Sequence, residues 1–469
     1  MALFDPAALK TGVRVREVWG WALFDAANSG YSTVILTAVF NTYFVSVICG
    51  SADWATFLWT AVVAASNILC LILMPAFSRA ADIRAEKKRW CFIATLCCIA
   101  ATALLTFTGP GTVAIAALLV IVSNIGFSVG ESMNSAFLPE LAKPESLGRV
   151  SGWGWSLGYG GGLVTLALCL IVLQIAGAFD IPQTESVPAV SLVVAVVFAV
   201  TALPFFLWVK ERSSAGAVTE SFAATVLASF KEMRGTLELI PAYRDFAWLT
   251  CCGFLYQCGI ATVIALAAVY ASAVMGFTVT KTLIMVLAVN ITAAVGAFCF
   301  GYVQDKLGHK RALALTLLLW IAMVATAAAA QGEALFRVSA NLAGLAMGSS
   351  QSAGRAMVGL LAPEKRLAEF YGLWNMALWL SAAVGPLTYG AVSWMSGNNQ
   401  RLAILVTGLF FVAGLLVLSR VNLARGTAQK SAVVLPVSFF HLATSSSVFA
   451  AWCAYSTSAS TIAQITASV

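Results

Sequence analysis

The sequence predicts an all-α membrane protein: twelve transmembrane helices in two pseudo-symmetric six-helix halves. Three observations point there. The 469 residues are 60% hydrophobic and only 10% charged, whereas a soluble domain carries about 25% charged residues. Apolar runs of about 20 residues, long enough to cross a bilayer as a helix, recur from end to end. Stretches of the first half return, degraded, in the second. A closed β-barrel would alternate apolar and polar residues, and these runs do not.

The expected spans are 18–46, 54–77, 89–108, 112–138, 149–176, 187–209, 245–272, 280–302, 311–330, 334–360, 369–395 and 401–420. Twelve crossings put both ends of the bundle on one side, and the distribution of Lys and Arg tells which side that is. Of 27 such residues, 24 fall on the side of the N-terminus, counting Arg355, which sits inside a span and is a weak vote. The opposite side has three, Lys281, Arg337 and Arg401. The N-terminus, the long middle loop and the end of the twelfth span are therefore expected in the cytoplasm. The same loops account for the formal net charge of +7, so that charge is no sign of a nucleic-acid partner. Lys10, Arg14 and Arg16 before an apolar run mimic a signal peptide. The run is too long for one and is interrupted by Asp25 and Asn28, so it reads as a retained first span.

Four regions follow: a six-helix half over 1–209, a cytoplasmic linker over 210–244, a second half over 245–421, and a tail over 422–469. In the linker, Phe222, Val226, Phe230, Met233 and Leu237 recur at helical spacing within Thr219–Leu239. That pattern predicts an amphipathic helix lying against the membrane or under the bundle. From Ser431 onward the tail has no Asp, Glu, Lys or Arg. Its apolar run, Ala432 to Ala454, is broken by Pro436, His441 and Ser445 to Ser447, and a thirteenth span there is left open.

The repeat is visible in detail. Gly30-Tyr31-Ser32-Thr33-Val34-Ile35 matches Gly259-Ile260-Ala261-Thr262-Val263-Ile264, an offset of 229, and the same offset sets Trp19 on Trp248 and Asn28 on Gln257. Asp82 is followed by Lys87 and Lys88, as Asp305 is by Lys310 and Arg311. Two six-helix units related by an axis along the membrane normal are a transporter architecture. The 11 cysteines show no metal-ligand spacing, and most sit inside apolar runs (Cys70, Cys97, Cys98, Cys169, Cys251, Cys252, Cys258 and Cys299). There they read as small apolar residues. With only His309 and His441 as histidines, no catalytic triad or metal set is visible. Neither an enzyme activity nor a cofactor is expected.

Gly301-Tyr302-Val303-Gln304-Asp305-Lys306-Leu307-Gly308-His309-Lys310-Arg311, in a twelve-span chain with a long central loop, resembles the loop signature of the major facilitator superfamily. The resemblance implies that Asp82, Lys87 and Lys88 in one half, and Gly301, Asp305, Gly308, Lys310 and Arg311 in the other, hold neighbouring helices at the cytoplasmic face. The first copy lacks the glycines, which puts its gating role in doubt. Trp21 to Ser29, Asn134 to Leu141, Ser151 to Gly162 and Gln351 to Arg355 are similar to the "unknown major facilitator" branch, which includes autophagy-related vacuolar effluxers of amino acids. This likeness runs to about Val421.

In that fold the first, fourth, seventh and tenth spans line the central cavity, as the resemblance implies. Away from their ends, those spans carry three charges: Asp25, Glu131 and Arg355. A carboxylate inside a membrane helix costs roughly 2.5–3.5 kcal/mol on insertion scales, so it is aimed at a cavity or a partner. Glu131 stands eight residues before Pro139 and Arg355 eight before Pro363, about 12 Å from the helix end. The expectation is that these two pair across the halves when the cytoplasmic side is closed. Asp25, with Asn28 and Ser29 beside it, has three readings: it binds a substrate amino group, takes up a proton, or fixes the helix by a hydrogen bond to backbone or Asn124. Further candidate cavity groups are Asn124, Tyr256, Gln257, Asn290, Asn341 and Gln351. Gly154, Gly158 and Gly162, like Gly344 and Gly348, form small-residue ridges for close helix packing.

The sequence thus reads as a monomeric secondary transporter in a bacterial inner membrane. Its partners are a small polar solute, the lipid bilayer and, in one reading, protons. Export of amino acids is what the resemblance implies. A proton-coupled permease for a sugar, drug or peptide is the second transport reading. A receptor or scaffold without flux is the reading from another class, and it has no need of charged cavity residues.

Overall fold

The structure is a computed structural model that describes residues 4–50, 52, 54–213, 221, 223–229, 243–277 and 279–432. Twelve long helices follow one another: α1 (Val15–Ile48), α2 (Ala55–Arg84), α3 (Lys87–Leu104), α4 (Val113–Ser135), α5 (Leu147–Ala178), α6 (Gln183–Trp208), α7 (Arg244–Met275), α8 (Val279–Leu307), α9 (His309–Ala329), α10 (Glu333–Leu361), α11 (Leu367–Met395) and α12 (Gln400–Ser419). A shorter α13 (Leu423–Ala432) follows. Among the described residues, eleven of the twelve long helices qualify as membrane spans by length and composition. The exception is α10, in which Ser339, Asn341, Ser349, Ser350, Gln351, Ser352 and Arg355 share the helix with the apolar residues. A helix this polar lies at membrane depth only when it faces protein or a water-filled cavity.

Each half repeats one packing scheme. In the first, α1 lies on α5 and α6, and α4 on α2 and α3. In the second, α7 lies on α11 and α12, and α10 on α8 and α9. The halves meet through α5 against α8 and α10, and through α11 against α2 and α4. Glycines set the closest approach. A Cβ on Gly301 would lie 2.8 Å from the Gly148 carbonyl oxygen, and one on Gly152 would strike the Ala297 carbonyl. Gly158 and Gly162 of α5 sit against Ser29 and Thr33 of α1, and Gly344 and Gly348 of α10 against α8. The outer part of α1 departs from regular geometry, with widened π-type turns over Ser32–Ala38 and Phe44–Ile48.

Residues 223–229 are helical, inside the segment where an amphipathic helix is expected. The rest of that segment apart from Ser221, and the tail from residue 433 with its open thirteenth span, lie outside the described residues.

Candidate functional site

The hydrogen bonds and ion pairs that join the halves gather at the end of the bundle rich in Lys and Arg, here termed the basic end. Asp82, near the end of α2, accepts from the backbone N–H of Glu369 in the first turn of α11 at 2.9 Å. Asp305, near the end of α8, accepts from the backbone N–H of Arg149 in the first turn of α5 and from its Nε, at 3.3 and 3.2 Å. Each acid thus satisfies orphan N–H groups at the positive end of a helix in the opposite half. The two loops are equivalent in this respect, although the first lacks the glycines. Gly308, with φ of +88°, turns the chain from α8 into α9 in a region that side chains rarely enter. Lys88 donates to the Val209 carbonyl at the end of α6, and Lys310 to the Ser419 and Val421 carbonyls at the end of α12. Lys87 pairs with Glu140 instead, and Arg311 is exposed.

Deeper in the seam lies the charged centre. Arg355 stands six residues before the end of α10 (361 − 355) and Asp25 ten after the start of α1 (25 − 15). Arg355 Nη1 donates to Asp25 Oδ2 at 2.7 Å, with the two residues 5% and 7% exposed. Asn134 Nδ2 of α4 donates to the other oxygen of Asp25 at 2.8 Å. The guanidinium also donates to the Ser151 hydroxyl at 3.2 Å and the Ser151 carbonyl at 3.0 Å on α5. It lies over the ring of Trp21 at 4.7 Å and that of Trp155 at 5.3 Å, contacts worth up to about 2 kcal/mol when desolvated. Trp21 is held in turn by its indole N–H on the Asn134 carbonyl, and Tyr371 donates to the Arg355 carbonyl, both at 2.9 Å. Gly154 makes room for the pair: a Cβ there would lie 2.5 Å from both Arg355 Nη2 and Asp25 Oδ2.

This corrects the expected Glu131–Arg355 pair. The cross-half partner of Arg355 is Asp25, which occupies the gap that Gly154 leaves between α5 and α10. Glu131 lies one turn farther from the basic end. The contacts of Trp21 and Asp25 with Asn134, and of Tyr31 with Ser123 at 2.7 Å, fix the antiparallel register of α1 and α4. Three residues on from Asp25 and three back from Asn134, that register sets Asn28 level with Glu131. Among the described residues Glu131 makes no hydrogen bond or ion pair, and it is partly exposed. Both polar atoms of the Asn28 amide are buried without a partner, as is the indole N–H of Trp155. Each buried polar group left unmet costs roughly 1–3 kcal/mol, so water or a solute is called for beside the ion pair.

The other expected residues divide. Gln257 and Gln351 meet across α7 and α10, with Nε2 of the first donating to Oε1 of the second at 2.7 Å. Ser29 lines α1 against Gly158. The Tyr256 hydroxyl is buried without a partner, against Gly354 and Trp374. Asn124 does not reach Asp25 and donates to Ser66 and Asn67 of α2. Asn290 and Asn341 bond to carbonyls of their own helices, Val286 and Arg337, and are drawn out of the charged centre. An amide one turn past a free carbonyl on an exposed face satisfies itself locally. Sequence reasoning missed Asn134, Ser151, Trp21 and Trp155 as partners. The available signal was that all four lie in the stretches that carry the family resemblance, with Trp21 one turn from Asp25.

Two six-helix halves related by pseudo-symmetry, joined by paired acid-to-helix latches, define a major facilitator transporter. Solved structures agree on the fold. The human organic anion transporter MFSD10 superposes with a TM-score of 0.66 at 14% identity, over 86% of this chain and 99% of that one. A bacterial homologue of the iron transporter ferroportin, in an outward-facing state, gives 0.65 at 14% over 86% and 98%. The proton:xylose symporter XylE gives 0.65 at 16% over 89% and 98%. The chain belongs to the family described as "Vacuole effluxer Atg22 like", whose model matches residues 44–431. Among its relatives is the uncharacterized MFS-type transporter YxiO of Bacillus subtilis (strain 168), 26% identical over 404 residues, which are 85% of this chain and 93% of that protein. Autophagy-related protein 22-1 of Penicillium rubens is 22% identical over 284 residues, 56% of this chain but only 47% of that longer one. The protein is therefore a multi-pass membrane transporter of small molecules and not an enzyme.

Proposed function

We propose that this transporter exports amino acids by alternating access, with the Asp25–Arg355 pair as the latch that substrate releases. The observation that carries the reading is that pair: one charge from each half, hydrogen-bonded at 2.7 Å and buried in the seam. In the closed seam each charge satisfies the other. If the basic end opens, α1 and α10 part and both charges lose their partner. A zwitterion then offers what each has lost, an ammonium for Asp25 and a carboxylate for Arg355. A solute without both charges leaves one of them buried and unpaired, which costs about 3–5 kcal/mol. The family resemblance supports the same substrate class. With the basic end in the cytoplasm, as the Lys and Arg count favours, the seam is closed to the cytoplasm. We place the protein in a bacterial cell membrane as a monomer, because one chain supplies both halves of the path.

Glu131 favours a second reading, proton-coupled transport of another solute. A carboxyl with no hydrogen-bond partner, next to the charged pair, is suited to carry a proton through the cycle. Counterflow in proteoliposomes with a panel of labelled amino acids, run with and without a pH gradient, tests both. Uptake of amino acids that Asp25→Asn and Arg355→Gln each abolish supports the first reading. No flux for any amino acid, but pH-driven flux of a sugar or peptide, supports the second.

A further inference from the structure

The pseudo-symmetry of the basic end exposes a place where the two halves differ in charge. In the first half, the chain leaving α6 bends over the start of α3. Lys88 holds the Val209 carbonyl at 2.5 Å. Two residues on, the Glu211 carboxylate accepts from the backbone N–H groups of Lys87 and Lys88 at 2.9 and 3.1 Å. Arg212 then pairs with Glu17 at the start of α1 at 2.8 Å. In the second half, Lys310 holds the Val421 carbonyl at 2.6 Å, and Arg425 pairs with Asp245 at the start of α7 at 2.7 Å. Matching Val209 to Val421 sets Glu211 on Leu423 (421 + 2), and matching Arg212 to Arg425 sets it on Ala424 (425 − 1), neither of them acidic. Among the described residues, the carboxylate that neutralises the first half at this spot has no counterpart in the second.

What occupies that region of the second half is an open cavity of ≈ 550 Å³ at the surface, lined by Arg244, Lys310, Arg420 and Arg425 together with Asn422 and Leu423 among others. One wall is fixed. The oxygens of Asp245 accept from Arg425 Nε and Nη2 and from the Asn422 N–H, all at 2.7 Å, so its charge is already matched. Arg244 and Arg420 are exposed to the cavity side of the face and, among the described residues, make no hydrogen bond or ion pair. A bilayer with anionic lipids attracts any basic loop. Here, among the described residues, two guanidiniums without a hydrogen bond or ion pair line an open cavity where the other half has its own carboxylate, with Asp245 beside Arg244.

We propose that this cavity binds a phosphate-bearing anion in the role that Glu211 plays in the first half. Guanidinium groups recognise phosphate oxygens in pairs, and the cavity exceeds the volume of a single phosphate. The anion is either the headgroup of an acidic lipid or free phosphate, and the proposal does not depend on the transported solute.

The test uses the full chain purified in detergent, with short-chain phosphatidylglycerol, phosphatidylcholine and inorganic phosphate as separate probes. Bound adducts are counted by native mass spectrometry. The wild type should retain one more phosphatidylglycerol, or one phosphate, than Arg244→Gln/Arg420→Gln, whose binding should weaken about tenfold or more. Leu423→Glu is the sharper variant. It supplies the missing carboxylate in cis, so it should lose the same adduct with its melting midpoint kept or raised. Displacement of bound phosphate by phosphatidylglycerol marks the lipid as the source, and its absence marks free phosphate. Equal adduct numbers in the wild type and both variants, or equal retention of phosphatidylcholine, would overturn the proposal. If Leu423→Glu fails to fold, the arginine variant decides alone, because among the described residues its two side chains make no hydrogen bond or ion pair.

Discussion

Asp25 and Arg355 are unequal partners, and that inequality is testable. Without Asp25, Arg355 keeps the Ser151 hydroxyl and carbonyl and two indole faces. Without Arg355, Asp25 keeps a single donor, Asn134. Removing one member of a buried pair costs about 3–5 kcal/mol because the other is left uncompensated. Arg355→Gln should therefore lower the melting midpoint more than Asp25→Asn. The charge-swapped pair, Asp25→Arg with Arg355→Asp, should recover part of the loss. Equal losses in the two single variants would mean that the Ser151 and tryptophan contacts do not hold the guanidinium. The three charges of this centre were legible as isolated charges in apolar spans. Their pairing was not, because it depends on which helix leaves a gap, and the gap is the missing Cβ of Gly154.

At the scale of elements, the start of α3 shows how a loop acid both holds and burdens the fold. Burial pushes the Glu211 carboxyl above its ordinary value, outweighing the N–H groups of Lys88 and Lys87 that favour its charged form. The Arg84 side chain, assisted by Trp90 and Arg89, holds Glu86 below its ordinary value against a smaller effect of burial. The signs are opposite. A raised carboxyl binds its proton longer in the folded state than in the unfolded one. Glu211 therefore subtracts stability as pH rises from 4.5, the ordinary value, through its folded value. Glu86 adds stability above 4.5 that is lost as pH falls through its folded value. Melting midpoints in detergent at a fixed scan rate, from about pH 3 upward, should decline less steeply with rising pH above 4.5 in Glu211→Gln than in the wild type. In Glu86→Gln the loss on acidification should shrink. Identical slopes in all three would remove both assignments. Helix existence was legible from apolar run length, and α10 was recognised despite its polarity. The packing of Lys87 on Glu140 and of Arg212 on Glu17 was not. Those partners are 53 and 195 residues apart, and nothing in local spacing announces them.

For the whole molecule, the repeat read from Gly30 and Gly259 foretold a two-fold arrangement, and the helix packing repeats as the pattern requires. What periodicity could not supply is the state of the seam, which depends on contacts between halves. If the halves rock as rigid bodies, the Asp82 and Asp305 latches break in the same transition. Their contributions to the closed state then add as free energies and multiply as populations. Each latch is a charge-assisted hydrogen bond to a helix start, of the order of 1.5 kcal/mol, so losing one should raise the open-to-closed ratio about tenfold and losing both about a hundredfold. Spin labels at Arg89 and Arg311, both exposed at the basic end in opposite halves, can read this on a cysteine-free background. Asp82→Asn and Asp305→Asn should each enlarge the long-distance population, and the double variant should enlarge it further than either. If one variant alone shifts the distances and the other adds nothing, the α2–α11 and α5–α8 seams open independently. A single rocking axis is then the wrong description.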